Sequence, residues 1–322
     1  VQFKSILIGA GVCSLLLLQS PQSAEARGSW DAWKADLKRE VVASGIPPSL
    51  FDRAMASARQ PDRKVKKLNK SQPERRLSFL KYRSSRADAA RIRIGRQKYA
   101  KYKSTLSSVE RRYGVDSCVI ASIWGLETAY GGFKGSFPVI PSLATLAYDS
   151  NRKAFFRKQL IQAFHIVHSG QVSLGQFVGE WAGASGHPQF LPTSWKNYAV
   201  DYNGDGRKDI WNSIPDALGS IANYLRSNGW QAGQPWAVEV RLPRNFSRSH
   251  VDRKTRKSAA EWKAMGVQVP GGVPSSLSGR IVTPDGGPAF LAFRNFDTIM
   301  TYNNSTYYAG TVGWMADQIC RR

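Results

Sequence analysis

The chain has 322 residues and a formal charge of +23, from 46 Lys and Arg against 23 Asp and Glu. A charge of that size calls for an anionic partner: nucleic acid, anionic lipid or an acidic wall polymer. The basic residues are scattered through "KREVV", "DRKVKKLNK", "ERRLSFLKYRSSR" and "HVDRKTRK" without a repeat or a nucleic-acid-binding motif, so nucleic acid is not the expected partner.

The N-terminus opens on Lys4, runs through an apolar stretch from Ile6 to Leu18 and reaches a small-x-small site at Ala24-Glu25-Ala26. That order predicts a secretory signal peptide over 1–26, cleaved after Ala26. The apolar run falls short of the ~20 residues of a spanning helix, and Cys13 lies in mid-core, a poor context for lipidation. No second stretch is long enough to cross a membrane, so the expected product is a soluble periplasmic protein. Losing the leader removes one Lys and one Glu and leaves the charge at +23. Cys118 and Cys320 remain; export permits a disulfide between them, and two buried thiols are the alternative.

Residues 27–100 read as an accessory helical region. "SWDAWKADLKREVVASG" has a Ser/Asp cap and a terminal Gly, and "IPPSLFDRAMAS" starts a helix behind its prolines. "SRADAARIRIGRQKYAKYKSTLSSVERRYG" keeps apolar and aromatic residues at helical spacing and predicts one long helix ended by Gly114. "VDSCVIASIWGLETAYGG" follows, with Asp116 or Ser117 as N-cap and Gly131 as the stop. Ile120, Ile123 and Trp124 precede Glu127 by seven, four and three residues, which puts all four on the face to be buried.

Further helices in "PSLATLAYD", "RKAFFRKQLIQAFHIVHSG", "TSWKNYAV" and "IPDALGSIANYLRSNG" complete an expected core over 101–231. From 232 to 285 the character changes: "WAVEVRLP" alternates like a strand, and the Gly, Pro and β-branched residues that follow predict a small β subdomain. Residues 286–322 end in a helix, "STYYAGTVGWMADQIC", returning to the core. The fold class is mainly α, within α+β. The chain ends soon after that helix, so no separate wall-binding module is expected.

Two stretches carry chemistry. A carboxylate among apolar side chains is disfavoured in its charged form, so Glu127 is expected to hold a proton near neutral pH, as a general acid for a glycosidic oxygen must. The glycines behind it leave room for a polymer; a Glu satisfied by an Arg or a backbone amide is the alternative. "GEWAGASGHPQFLPTSW" surrounds Gln189 and Phe190 with small residues, as a ligand-approaching loop or an ordinary glycine-rich turn would. "DYNGDGRKD" matches the first half of a calcium loop, with Asp201, Asn203 and Asp205 alternating before Gly206 and Arg207 at the carbonyl-donating position. Its twelfth position is Asn212 rather than Glu, which leaves an Asx-rich turn as the alternative. His165 and His168 lack further ligands for zinc, and no Ser-His-Asp or Cys-His set is visible.

Four motifs in order, "GLETAYG", "GEWAGASGHPQFLPTSWKNYAVDYNGDG", "IWNSIPDALGSIANYLRSNGW" and "TYNNSTYYA", resemble the lytic murein transglycosylase B family from about residue 30 to 320. The resemblance implies a lysozyme-like core, peptidoglycan glycan strands as substrate, no cofactor for the chemistry and a monomer. It implies cleavage of the MurNAc–GlcNAc β-1,4 bond with a 1,6-anhydro-MurNAc end, Glu127 acting as acid and then base and the substrate's N-acetyl group steadying the cationic centre, a departure from the two-carboxylate scheme. It places Tyr82, 45 residues before Glu127, with Gln189, Phe190, Tyr224, Tyr302, Asn303 and Tyr308 in a saccharide groove; tyrosine offers sugars a flat face and an edge hydroxyl. The family's calcium site closes on a later Asp, here Asp216, which with Asp201, Asn203, Asp205 and Arg207 makes the candidate ligand set for a structural Ca2+.

Two departures stand out. Glu180 occupies a position where the family carries Ser; it could raise the acid's pKa, activate water or point away. Arg152-Lys153 replaces a common Arg pair on the substrate side and loses one planar fork. The rival readings are a hydrolytic muramidase using Glu127 with Glu180 or Asp149, and a peptidoglycan-binding protein without turnover.

Overall fold

The structure, a computed structural model, describes residues 29–70 and 77–320; the expected signal peptide lies outside them. In chain order come α1 (Trp30–Ala43), α2 (Pro48–Met55), α3 (Arg63–Lys70), α4 (Phe79–Arg86), α5 (Ala89–Lys101), α6 (Lys103–Tyr113) and α7 (Ser117–Thr128). The short strands β1 (Phe137–Pro138) and β2 (Val178–Gly179) pair across α8 (Val139–Tyr148) and α9 (Lys153–His168). Then follow α10 (Pro192–Tyr198), α11 (Ile214–Ser227), β3 (Ala237–Val240), β4 (Lys257–Ser258), α12 (Ala259–Ala264), β5 (Ser278–Val282), β6 (Ala289–Ala292), α13 (Arg294–Tyr302) and α14 (Thr306–Ile319). No helix among the described residues is long and apolar enough to cross a membrane.

Three apolar cores result. In the first, α7 packs between α5, α6, α11 and α14, and Ile120, Ile123 and Trp124 bury there as their spacing predicts. The second collects Leu37, Phe51, Leu143 and Phe164 from α1, α2, α8 and α9. A third, around Trp262 and Phe293, lies under the antiparallel sheet of order β3-β6-β5-β4. Tyr224 and Tyr302 pack against both the first and second cores, so the seam between these two runs past them.

Four expectations are corrected. The stretch read as one long helix breaks at Tyr102 (φ −105°, ψ 20°), whose ring turns edge-on to Trp124 at 5.6 Å. The accessory region is not one unit: α2 and α3 pack on α8, whereas α4 and α5 pack on α14 and belong with the first core. The sheet runs past 285, since β6 pairs with β3 from Ala237 opposite Ala292 to Val240 opposite Ala289. Helix α7 stops at Thr128, three residues short of Gly131, with Ala129 at φ 50° and Tyr130 at φ 62°.

The α7 terminus has a packing cause. Left-handed backbone is unfavourable for residues with a Cβ, yet Tyr130 drives its ring into a slot left by two glycines. A Cβ at Gly125 would stand 2.5 Å from its hydroxyl, and one at Gly95 closer still. Thr128 Oγ1 donates to the carbonyls of Trp124 and His187, both at 3.2 Å, and accepts from the amide of Gly131 at 3.1 Å. At its other end α7 is capped by Asp116, which accepts from the amide of Cys118 at 2.7 Å. Cys118 and Cys320 form a disulfide, with Cα atoms 6.0 Å apart, that ties the start of α7 to the end of α14.

Candidate active site

Glu127 stands in the last turn of α7, partly exposed, with the tyrosines of α13 and α14 against it. The Tyr308 hydroxyl donates to Glu127 Oε1 at 2.5 Å. Burial pushes the carboxyl up to about 7; the Tyr308 hydrogen bond and the charge of Arg86 oppose the rise, and the like charge of Glu180 adds to it. Tyr302 and Tyr308 are raised well above the usual phenol range, first by burial and then by Glu127, so both stay protonated donors. Their rings lie near-parallel, centroids 6.4 Å apart and 11° between planes.

The wall behind is aromatic and fixed by backbone carbonyls. Tyr302 donates to the carbonyl of Pro188 at 2.5 Å, and Tyr224 to that of Thr301 at 2.6 Å. Tyr224 and Tyr302 meet edge to face at 4.8 Å, with Phe190 5.8 and 5.9 Å from them. Phe190 is buried, so it backs the tyrosines instead of offering an open face. Tyr82 is likewise buried, edge-on to Tyr307 at 5.8 Å.

The loop that carries Gln189 is built to come close. Ser185 and Phe190 exchange amide-to-carbonyl bonds at 3.0 Å each way, and the amide of Glu180 donates to the carbonyl of Ala184 at 2.8 Å. A Cβ at Gly135 would meet the backbone of Gly179 at 2.0 Å, so only glycine lets these segments touch. Gln189 takes φ 50°, and its side-chain amide donates to the carbonyls of Gly186 at 2.9 Å and Lys134 at 3.3 Å. It therefore holds the loop shape in this structure. His187 accepts from Trp124 Nε1 at 3.0 Å, joining the loop to α7, and burial lowers its imidazole to about 4.

Other expected residues lie elsewhere. Arg152 and Lys153 are exposed at the start of α9, and the Arg152 guanidinium sits 4.0 Å over Phe155, on the second core and not in the tyrosine cluster. Asn303 is exposed where α13 ends, and Asp149 is paired with Lys66 at 2.5 Å. Three residues escaped sequence reasoning: Arg86, His187 and Tyr130. Arg86 follows Tyr82 by four residues, the one signal that both share a helix face.

The loop after α10 gathers three carboxylates: Asp201, Asp205 and Asp216 bring ligand oxygens within 4.8 Å of one another. Asp216 is fully buried and accepts from the amides of Tyr202, Asn203 and Asp209 at 2.9, 3.2 and 3.0 Å. Burial raises its pKa and those amides oppose the rise; no cation pairs with it among the described residues. Asn203 shares the turn, its Nδ2 donating to Asp205 at 2.9 Å. Arg207 sends its amide to Asp205 at 2.9 Å and its guanidinium away to the carbonyl of Gln171, leaving only its own carbonyl for a cation.

Comparison with known proteins fixes the family. The family model described as "Transglycosylase SLT domain" matches residues 29–317, nearly all of the described chain. The chain belongs to the transglycosylase SLT family. Membrane-bound lytic murein transglycosylase B of Escherichia coli (strain K12) is 31% identical over 250 residues, 75% of this chain and 67% of that protein. SltB3 from Pseudomonas aeruginosa, solved in complex with NAG-anhNAM-pentapeptide, superposes with a TM-score of 0.86 at 43% identity, covering 91% of this chain and 80% of that one. The Escherichia coli lytic transglycosylase Slt35, solved in complex with calcium, gives 0.79 at 26% identity over 89% of this chain and 92% of its own. The fold of this SLT-family chain is thereby the lysozyme-like one its motifs imply.

Within that family frame, the site can hold and release one proton at Glu127 close to neutrality. Tyr308 occupies Oε1, and no hydrogen bond among the described residues engages Oε2.

Proposed function

We propose that this chain is a lytic transglycosylase acting on peptidoglycan in the periplasm, cleaving the MurNAc–GlcNAc β-1,4 bond and leaving a 1,6-anhydro-MurNAc end. The observation that carries the reading is Glu127, raised to about 7 with one oxygen held by Tyr308 at 2.5 Å. A carboxyl group poised there serves equally as acid and as base near neutral pH.

In the first half of the cycle protonated Glu127 delivers its proton to the bridging oxygen as the C1–O bond breaks. The substrate's N-acetyl oxygen supports the cationic C1. In the second half the Glu127 carboxylate takes the proton of the C6 hydroxyl, and that oxygen closes on C1. The residue ends as it began, so neither water nor a cofactor is consumed. Arg86 and Tyr308 steady the carboxylate between the two steps; both lower its pKa. Tyr224 and Tyr302, backed by the buried Tyr82, Tyr308 and Phe190 and the loop of Gln189, supply the saccharide wall, with Asn303 at its rim.

Mass spectrometry of the products from isolated sacculi tests the reading, with anhydro ends expected. Glu127→Gln should lower the rate at least about 100-fold. Reducing ends would instead favour hydrolysis with Glu180, whose charge reaches Glu127. Asp149, held by Lys66, is a poorer second carboxylate.

Asp201, Asp205 and Asp216, with the side chain of Asn203 and the carbonyl of Arg207, suit a calcium ion: the donors are hard oxygens and the buried carboxylate has no cation partner among the described residues. Calcium bound there neutralises the loop and takes no part in bond cleavage.

A further inference from the structure

The β subdomain holds a feature that the chemistry at Glu127 leaves unused. Between the 271–278 loop and the start of α13 lies an open cavity of about 1180 Å³. That is the scale of a site for a ligand of several residues, far above what a lone inorganic ion fills. Two arginines reach it, Arg256 from just before β4 and Arg294 from the first position of α13.

Their charges are unbalanced. Arg256 and Arg280 both pair with the single carboxylate of Asp297. Arg280 is buried and pushed down to about 10 by that burial and by the neighbouring charges of Arg256 and Arg253, with Asp252 opposing. The Arg294 side chain is exposed and has no hydrogen-bond or ion-pair partner among the described residues; it rests against Gly229, where a Cβ would stand 3.4 Å from its Nη2. The mouth of the cavity thus has guanidinium donors in excess of acceptors, as recognition of a carboxylate requires.

The walls are preformed. Buried Asn295 donates from Nδ2 to the carbonyls of Gln231 and Gln234 at 2.9 and 2.7 Å, and accepts from the amide of Gln231 at 2.7 Å. The opposite wall is held by the amides of Ala259 and Ala260, which donate to the carbonyls of Leu277 and Ser275 at 3.0 Å each. Gly271 and Gly272 add bare backbone to the lining, and Val273 and Leu277 add apolar side chains. Guanidinium, bare backbone and apolar side chains together fit a short peptide with a carboxylate end better than a phosphate, which would need donors alone.

We propose that this cavity binds the carboxylate end of a short peptide, anchored by Arg256 and Arg294, and that a peptide carried by the glycan strand is held there while the strand is cut. The second clause rests on the function read above. Helix α13 connects the two places: Arg294 begins it and Tyr302 ends it, about 12 Å along its axis.

The test is a titration of the 15N-labelled full chain with a free pentapeptide bearing its terminal carboxylate, with the same peptide amidated, and with inorganic phosphate. Saturable shifts at Gly271, Gly272 and the Arg294 side chain are expected for the acid alone. Arg294→Ala should weaken that binding about tenfold, with Arg294→Lys between the two; Arg294 is exposed, and an unchanged melting temperature separates lost binding from lost folding. On strands that carry peptides Arg294→Ala should lower kcat/KM while leaving peptide-stripped strands unaffected. No saturable binding, equal binding of phosphate or the amide, or indifference to Arg294→Ala would each overturn the proposal. These binding results stand apart from turnover at Glu127: sacculi left intact by wild-type protein would reject the transglycosylase reading alone.

Discussion

Replacing Tyr308 by Phe removes one hydroxyl and leaves the ring. That hydroxyl donates to Glu127 Oε1 at 2.5 Å and lowers a carboxyl that burial has raised to about 7. A hydrogen bond to a charged group is worth about 1.5–3 kcal/mol, so its loss moves the Glu127 pKa upward by about one to two pH units. Turnover begins with the protonated acid, so kcat/KM declines as pH rises through that pKa. In Tyr308→Phe the alkaline limb should therefore shift to higher pH by that amount, while the maximum rate falls because the carboxyl is no longer held. The assay is release of anhydro-muropeptides from sacculi between pH 5 and 10, followed by liquid chromatography. An alkaline limb that stays in place or moves to lower pH would refute the argument that Tyr308 sets the proton affinity of Glu127.

Three further expectations concern stability. Glu127 is raised from 4.5 to about 7, so across that interval the folded protein keeps a proton that the unfolded chain releases, and stability falls with rising pH by about 1–3 kcal/mol. Glu127→Gln should recover that loss at pH 8 and match wild type at pH 4, as read by urea denaturation; a variant less stable at pH 8 would contradict the buried-carboxylate account. Calcium at about a hundredfold excess over its Kd should add ~2.7 kcal/mol, seen as a higher melting temperature that EDTA reverses and that Asp205→Ala abolishes. Cys118 and Cys320 are joined across 202 residues, and the double Ser variant should lose about 2–4 kcal/mol; unchanged stability would remove the bridge from the list of contributors.

The helix that carries Glu127 was legible because it follows local periodicity. Ile120, Ile123 and Trp124 sit on the buried face that places Glu127, and of the two expected caps, Asp116 and Ser117, the helix uses Asp116. The calcium-loop pattern stops at the mismatch of Asn212; the family resemblance adds Asp216, whose oxygen does lie with those of Asp201 and Asp205. What escaped depends on distant partners. Sequence favours Gly131 as the left-handed stop of α7, but Gly95 and Gly125 open a slot for Tyr130, and the turn comes earlier. Arg86 acts on Glu127 only because α4 packs beside α14. For Gln189 and Phe190 composition leaves a ligand-approaching loop and a glycine-rich turn both open, and only the resemblance puts them in the groove; their hydrogen bonds and burial support the loop.

Long-range partners set the proton affinity of Glu127. The carboxyl sits in the final turn of α7, where the helix carbonyl end disfavours negative charge, and burial acts in the same direction. Left to those two effects, the group would hold its proton too tightly to serve as a base. Tyr308 and Arg86 pull the other way, and they arrive from α14 and α4, on opposite sides of Glu127 in sequence. The stacked Tyr302 lies at the end of α13, whose next loop is fastened by Arg253 donating to Asn304 Oδ1 at 3.0 Å. Arg253 belongs to the β subdomain, so that bond ties the subdomain to the loop that follows Tyr302. Arg253→Ala should accordingly raise KM through a looser tyrosine wall while leaving the alkaline limb at Glu127 in place; a displaced limb would mean that the subdomain reaches the acid by charge and not by position.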